Sequence, residues 1–201
     1  MKIKILISLI VIISVIALAT ISTRALFTAR VSNPAANFSA GTLDLSVTGS
    51  GVSDTISVGD IGASPSASGE KIWNIENIGT LPGKFLFSLS KLENFENGCN
   101  GPEAKADITC NNPGLNEGEL SKVIKVRVFL NDKEIISEIP LSSLTDKITY
   151  FVQNSPAIIL NGGEKTKFIL KWSVNENDYG NEIQGDSVNF GFDFSLAQIP
   201  S

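Results

Sequence analysis

The chain has 201 residues, of which 42% are hydrophobic and 18% are charged, and it contains two cysteines, 17 glycines and no histidine. This composition excludes a disordered chain, a collagen-like repeat and a small disulfide-rich scaffold. Without histidine there is no His–Ser or His–Cys catalytic pair and no HExxH zinc motif. Acidic residues outnumber basic residues by 21 to 16, which argues against a nucleic-acid-binding surface.

The first 25 residues are typical of a secretory signal peptide. Lys2 and Lys4 precede an apolar run over residues 5–19, and small or polar residues follow it up to Ala25. We expect an N-terminal signal helix and cleavage between Ala25 and Leu26. An uncleaved membrane anchor is the alternative, because the apolar run is close to the shortest length that crosses a bilayer.

Export would make the chain more acidic. Removing residues 1–25 takes away three basic residues and no acidic ones, which leaves 13 basic and 21 acidic residues and a formal charge of −8. This charge favours solubility and repels nucleic acid and anionic lipid. We therefore expect a secreted protein with no nucleic-acid partner.

The rest of the chain reads as an all-β domain. Apolar residues alternate with polar ones in short runs, and glycine- and asparagine-rich turns separate these runs. The predicted strands lie within Leu43–Val47, Ile56–Val58, Ile72–Asn77, Phe85–Leu89, Val123–Leu130, Phe168–Val174 and Val188–Leu196. Only Leu141–Asp146 has a helical pattern. We predict a signal peptide at 1–25, an N-terminal segment at 26–36, and a jelly-roll or Greek-key β-sandwich of about seven to nine strands at 37–201.

Four segments of the chain carry a family resemblance. Asn37–Leu45 reads NFSAGTLDL, and Gln184–Val188 reads QGDSV at the start of the last strand. Asn74–Thr80 contains an Asn-x-Gly-Thr strand ending, and Leu160–Glu164 is a glycine turn before a long strand. In order and spacing these segments resemble the TasA/camelysin family of secreted bacterial and archaeal proteins. Residues 91–120 match no motif of that family.

The resemblance implies a structural function. It implies that the family members have a jelly-roll fold and are processed by a SipW-like signal peptidase. It also implies that they form fibres in the biofilm matrix or at the cell surface, with accessory matrix proteins as further partners. In such fibres the N-terminal segment of one subunit adds a strand to the next. Some members are described as metalloproteases, but this chain has no histidine to match a zinc ligand. We therefore expect no catalytic residues, no metal and no cofactor. A secreted metal- or carboxylate-dependent protease of the camelysin type is the alternative, and a monomeric adhesion module is a third.

The residues after the cleavage site can form such a donor strand. Phe27, Ala29 and Val31 alternate with polar residues, so the segment Leu26–Asn33 can present one apolar face. Pro34 follows and interrupts strand pairing, so we expect this segment to be poorly placed to pair locally. Filling an open sheet edge in a neighbouring copy would form a head-to-tail filament. The alternatives are an ordinary first strand of the chain's own sandwich and a frayed terminus.

Cys99 and Cys110 are the only cysteines, and in an exported chain they predict a disulfide. A metal-binding pair and two reactive thiols are the alternatives. A zinc site would need two further ligands, which histidine cannot supply here.

Acidic residues give two weaker patterns. The segment Asn175–Asp186 partly matches an EF-hand calcium loop, but its fifth position is a tyrosine and its flanks read as strands, so we expect a solvated hairpin loop. The pairs Glu93 with Glu96 and Glu117 with Glu119 could serve as a carboxylate pair for hydrolysis. With so many acids in the chain, we interpret them as surface residues.

Overall fold

The computed structural model describes residues 28–30, 42–49, 56–59, 67–99, 101–111 and 114–199, and for 28–30, 56–59 and 114 it describes the backbone alone. The predicted signal helix, the cleavage position between Ala25 and Leu26, and the residues Phe27 and Val31 lie outside these ranges.

The described strands form two antiparallel sheets, which confirms the predicted all-β sandwich. The first sheet contains β1 (Thr28–Arg30), β3 (Ile56–Gly59), β5 (Gly83–Glu96), β6 (Gly114–Leu115), β9 (Ile158–Leu160) and β11 (Ser187–Gln198). The second sheet has the order β2 (Leu45–Gly49), β4 (Ala67–Asn77), β10 (Lys165–Val174), β7 (Lys125–Leu130) and β8 (Lys133–Pro140). Sequence alternation predicts most of these strands but misses β6, β8 and β9. Two of the three are too short to show a period, and β8 pairs with β7 through irregular register.

Two short α-helices complete the described structure, α1 (Leu120–Val123) and α2 (Leu144–Asn154), together with four 3-10 turns. The predicted helical segment at Leu141–Asp146 begins as a 3-10 turn and continues as α2 to Asn154, so it is correct in type and too short. Leu144 and Ile148 are buried on one face of α2, at the four-residue spacing that a helix packed on a sheet requires.

The core lies between the sheets and is mostly aromatic. The alternating residues of β11 are all buried, and they are Val188, Phe190, Phe192, Phe194 and Leu196. Phe168 of β10 is fully buried, and its ring lies 5.0–5.7 Å from those of four other aromatic residues, among them Trp73. Trp73 is a core residue, and Trp172 is half-buried at the edge of the core.

The side chain of Asn77 joins two of the family-like segments, Asn74–Thr80 and Leu160–Glu164. It is fully buried at the end of β4, and its side-chain amide donates hydrogen bonds to the carbonyls of Leu81 and Leu160, at 2.8 and 2.9 Å. Its side-chain oxygen accepts the amide of Gly79 at 3.0 Å. One asparagine therefore fixes both its own turn and the turn that precedes β10.

The neighbouring residues of this turn meet the segment around Thr42. The carbonyl of Thr42 accepts the amides of Thr80 and Leu81, and the hydroxyl of Thr80 accepts the amide of Thr42 at 3.1 Å. A Cβ on Gly79 would lie 2.0 Å from the Thr42 carbonyl oxygen, so only glycine fits there. The spacing Asn-x-Gly-Thr is thus explained by the side-chain hydrogen bonds of Asn77 and Thr80 and by the close backbone approach at Gly79.

We expect Asn77→Ala to destabilise the fold by about 3 kcal/mol, because it leaves buried backbone groups without partners. The measurement is the free energy of unfolding in urea. The matched control is Asn74→Ala on the same strand, where the side chain is exposed and the change should cost less than about 0.5 kcal/mol. Equal losses in both variants would contradict the assigned function of Asn77.

Candidate functional site

Five acidic side chains converge where β5 ends and β11 begins. We call Glu96, Glu103, Asp107, Glu119 and Asp186 the carboxylate cluster. Oxygens of Glu96, Glu103 and Asp186 lie within 4.8 Å of one another, and so do oxygens of Glu96, Asp107 and Glu119. Four of the five residues are buried, and Glu119 is partly exposed. Glu96 belongs to both groups and stands at the centre of the cluster.

A bulge in β5 turns Glu96 into the protein. Leu89 pairs with Phe192 and Lys91 pairs with Gly191, so Ser90 is an extra residue on the β5 side. Phe85 and Phe87 face the core before the bulge, and the even-numbered residues up to Glu96 face it afterwards. Without the bulge the same alternation would direct Glu96 to the outer face.

Asp186 directly precedes β11 and lies beside Glu96 in the carboxylate cluster. Val188 pairs with Asn94, so Asp186, two residues earlier, falls opposite Glu96 and on the core side. It is fully buried. The two carboxylates therefore extend the two rows of core residues on neighbouring strands.

The disulfide brings in two further members of the cluster. Cys99 and Cys110 are bonded, with their Cα atoms 5.0 Å apart. The loop that they close carries Glu103, in a 3-10 turn, and Asp107. The disulfide predicted from the sequence therefore also holds two of the five acids in a covalently closed loop.

The start of α1 supplies the fifth member and holds Asp186. The backbone amides of Glu119 and Leu120 donate to Oδ2 of Asp186 at 2.6 and 3.2 Å. A Cβ on Gly118 would lie 2.7 Å from the carbonyl oxygen of Phe95 and 3.0 Å from Asp186 Oδ2, so the close approach of this segment requires glycine.

Burial and mutual repulsion shift the protonation of the cluster. Desolvation, with smaller contributions from the charges of Glu96 and Glu119, raises the pKa of Asp186 from 3.8 to about 7, against the two backbone hydrogen bonds. Desolvation likewise raises the pKa of Glu119, whereas hydrogen bonds from Thr109 lower that of Asp107. Because the folded pKa of Asp186 lies above its ordinary value, its contribution to stability is complete below pH 3.8 and is lost as the pH rises through about 7.

The structure corrects the interpretation of several acids. Glu96 is 3% exposed, so the expectation of a surface acid is wrong for it, while Glu93 forms an ion pair with Lys91 at 2.7 Å. In the segment that resembles an EF-hand, Asn175 accepts the amide of Asn177 in an exposed turn. Asp186 lies apart from this turn, in the carboxylate cluster. The missed signal is that Asp186 continues the in-phase row of Val188 and Phe190.

Three residues of the segment predicted to donate a strand, Thr28–Arg30, pair with β11 of their own chain. Thr28, Ala29 and Arg30 pair with Ala197, Leu196 and Ser195 of β11. The expectation that this segment is poorly placed to pair locally is therefore wrong for these three residues, which occupy the position of an ordinary first strand.

Among the described strands, β1 and β3 pair with only part of one edge of β11. Along its opposite edge, β11 pairs with β5 over its whole length. On the β1 edge, β3 pairs with residues 187–190 and β1 with residues 195–197. Among the described residues, no strand pairs with Gly191–Phe194 on this side.

The fold and the cluster together define a β-sandwich protein with a buried acidic site at one end. Within the described ranges, no helix is long and apolar enough to cross a membrane. The family model for camelysin metallo-endopeptidase matches residues 2–201, so the chain belongs to this family, and the TasA/camelysin resemblance is confirmed. No curated protein matches the chain.

The family description implies a metal, but the residues do not fit a zinc peptidase centre. Catalytic zinc is usually held by histidine together with carboxylate or cysteine. This chain has no histidine, and both cysteines are in the disulfide. The carboxylate cluster offers oxygen ligands alone, a set that suits hard cations. We therefore derive no hydrolytic step from it.

We expect replacement of Cys99 and Cys110 by serine to destabilise the fold by roughly 3 kcal/mol, because the closed loop restricts the unfolded chain. Urea unfolding in the presence of a chelator measures this loss. Wild-type protein treated with reductant is the matched control and should unfold at the same urea concentration as the double variant. Unchanged stability in both samples would contradict this prediction.

Proposed function

We propose that the protein is an exported structural subunit that forms fibres by exchanging its N-terminal strand with the next copy. The observation that carries this proposal is the pairing of Thr28–Arg30 with the edge of β11. The family match supports membership of the family, and it is the TasA/camelysin resemblance of the sequence that implies fibre proteins.

The edge of β11 has the properties of a strand acceptor. β11 supplies five buried core residues, so any strand on its edge adjoins the hydrophobic core. On that edge, β3 and β1 together pair with seven of its residues. Within the described ranges this edge is therefore incompletely paired, and such an edge offers main-chain donors and acceptors to an added strand.

Exchange would use the contacts that the single chain makes. A donor segment from another copy in the same register would place Ala29 opposite Leu196, a fully buried residue. Directly opposed residues share a face of a sheet, so Phe27 and Val31 would fall on the same, core-facing side as Ala29. Burying these two side chains would stabilise the contact by about 1.5–3 kcal/mol each before ordering costs.

Strand exchange gives a polymer because the contact is heterologous. The donor segment is at the start of the chain and the acceptor is its last strand, so each copy has one of each. Such a head-to-tail contact propagates when its rotation does not close a ring. The proposal therefore includes the chain itself as its main partner, a SipW-like peptidase that frees Leu26, accessory matrix proteins, and a location in the extracellular matrix or at the cell surface.

Cysteine crosslinking tests the exchange directly. We expect a mixture of Thr28→Cys and Ala197→Cys chains, both beginning at Leu26, to form covalent dimers at fibre-forming concentration, because directly opposed Cα atoms in a sheet are within disulfide range. Non-reducing electrophoresis measures the dimer. The matched control mixes Thr28→Cys with Lys133→Cys, whose cysteine lies at an exposed position of β8 in the other sheet.

Two results would overturn the proposal. One is a yield of dimer no higher than in the control mixture. The other is electron microscopy in which a chain lacking residues 26–33 still forms fibres, since that chain has no strand to exchange. We expect the truncated chain to remain folded and monomeric.

The family description favours one second function, a secreted endopeptidase. It predicts that purified protein cleaves casein and that a chelator or a substitution in the carboxylate cluster abolishes cleavage. Absence of cleavage by protein that forms fibres would favour the structural function.

A further inference from the structure

We propose that the carboxylate cluster is a calcium-binding site, with Glu96, Glu103 and Asp186 as its central ligands and Asp107 and Glu119 beside them. The site lies at the start of β11, whereas β1 pairs near its other end, at residues 195–197. It is therefore independent of the strand exchange proposed above.

The first argument is the state of the carboxylate oxygens. Glu96 is 3% exposed and Asp186 is 0% exposed, yet Oε2 of Glu96 and Oδ1 of Asp186 are buried with no hydrogen-bond partner. Oδ2 of Asp107 and Oε2 of Glu119 are also buried with no hydrogen-bond partner. A buried carboxylate oxygen without a partner is costly, so several together call for a compensating positive charge.

The second argument is that, in Glu96, Asp107 and Asp186, hydrogen bonds hold the other carboxylate oxygen in place. Oε1 of Glu96 accepts the amide of Gly98 at 2.8 Å, and Oδ2 of Asp186 accepts two amides at the start of α1. Oδ1 of Asp107 accepts the amide and hydroxyl of Thr109 at 2.8 and 2.7 Å. Each of these three carboxylates is thus oriented through one oxygen while its other oxygen is buried without a hydrogen-bond partner, an arrangement that suits a preorganised ligand.

Distances and donor type then select the ion. Calcium binds oxygens at about 2.3–2.6 Å, so two ligands on opposite sides of one ion are about 5 Å apart. Within each of the two groups of three acids, the carboxylate oxygens lie within 4.8 Å of one another. Calcium takes six to eight oxygen ligands in flexible geometry, whereas magnesium requires a strict octahedron and zinc prefers nitrogen or sulfur. An all-carboxylate set on several chain segments fits calcium best.

Charge also favours a divalent cation. The cluster contains five acids, and Lys122 contacts one of them, Glu119, at 3.3 Å from an exposed position. A bound calcium ion would offset the repulsion among the buried acids. It would also join β5, the disulfide loop, the start of α1 and the start of β11, which are distant in sequence.

The test titrates chelator-treated, dialysed protein with calcium chloride and, separately, with magnesium and zinc chloride. We expect calorimetry to give one or two calcium ions per chain. We also expect calcium at about a hundredfold excess over its dissociation constant to raise the midpoint of thermal unfolding by roughly 5–10 °C. Magnesium should give a smaller shift.

Glu96→Gln separates loss of a ligand from loss of the fold. Glutamine keeps an oxygen that accepts the Gly98 amide but removes one negative charge. We expect calcium affinity to fall at least about tenfold, while the midpoint in chelator stays equal to that of wild type or rises, because repulsion decreases. Glu134→Gln, at an exposed position of β8, is the matched control and should keep the full calcium shift.

Three results would overturn the proposal. They are no calcium binding up to about 10 mM, where even weak extracellular sites are filled, a full calcium shift in Glu96→Gln, and binding of zinc in preference to calcium. All readouts use monomeric protein, so failure here leaves strand exchange unaffected, and failure of strand exchange leaves the calcium site unaffected.

Discussion

The antiparallel pairing of β5 with β11 is the constraint on which the rest of the structure depends. Twelve residues of β11 find partners on β5, and the core-facing rows of both strands supply much of the aromatic core. At one end of this pair lies the Asn77 junction, where the turn before β5 meets the turn before β10. At the other end lies the carboxylate cluster. Both special regions are therefore positioned by one long ladder.

Much of the sandwich could be predicted because its long strands alternate cleanly. In the strand predicted at Val188–Leu196 all five in-phase apolar residues are buried, and so are Trp73 and Phe168 in two other predicted strands. The family-like motifs were also informative, and the structure supplies their physical reason. Asn77 and Gly79 are required by hydrogen bonds and a close backbone approach, a requirement that alternation alone does not reveal.

The carboxylate cluster could not be predicted, for two physical reasons. Its members come from segments up to 90 residues apart, between Glu96 and Asp186, and they are brought together by strand pairing, the disulfide loop and the start of α1. In addition, the bulge at Ser90 reverses the phase of β5, so a simple alternation from Phe85 and Phe87 assigns Glu96 to the solvent side. Asp186 carried a readable signal, since it is in phase with Val188. An acid in phase with a buried row is unusual enough to mark a site.

The placement of β1 on its own sheet has a consequence for assembly. Under the proposed exchange, the N-terminal strand of a single subunit pairs with the same edge of β11 that the strand of a neighbouring copy would need. The monomer and the polymer then use the same strand register. Their equilibrium depends on protein concentration and on the length of chain that joins β1 to the sandwich, more than on the strength of the contact. At low concentration the subunits would remain monomeric and competent to assemble. A high local concentration at the site of export would determine where filaments begin.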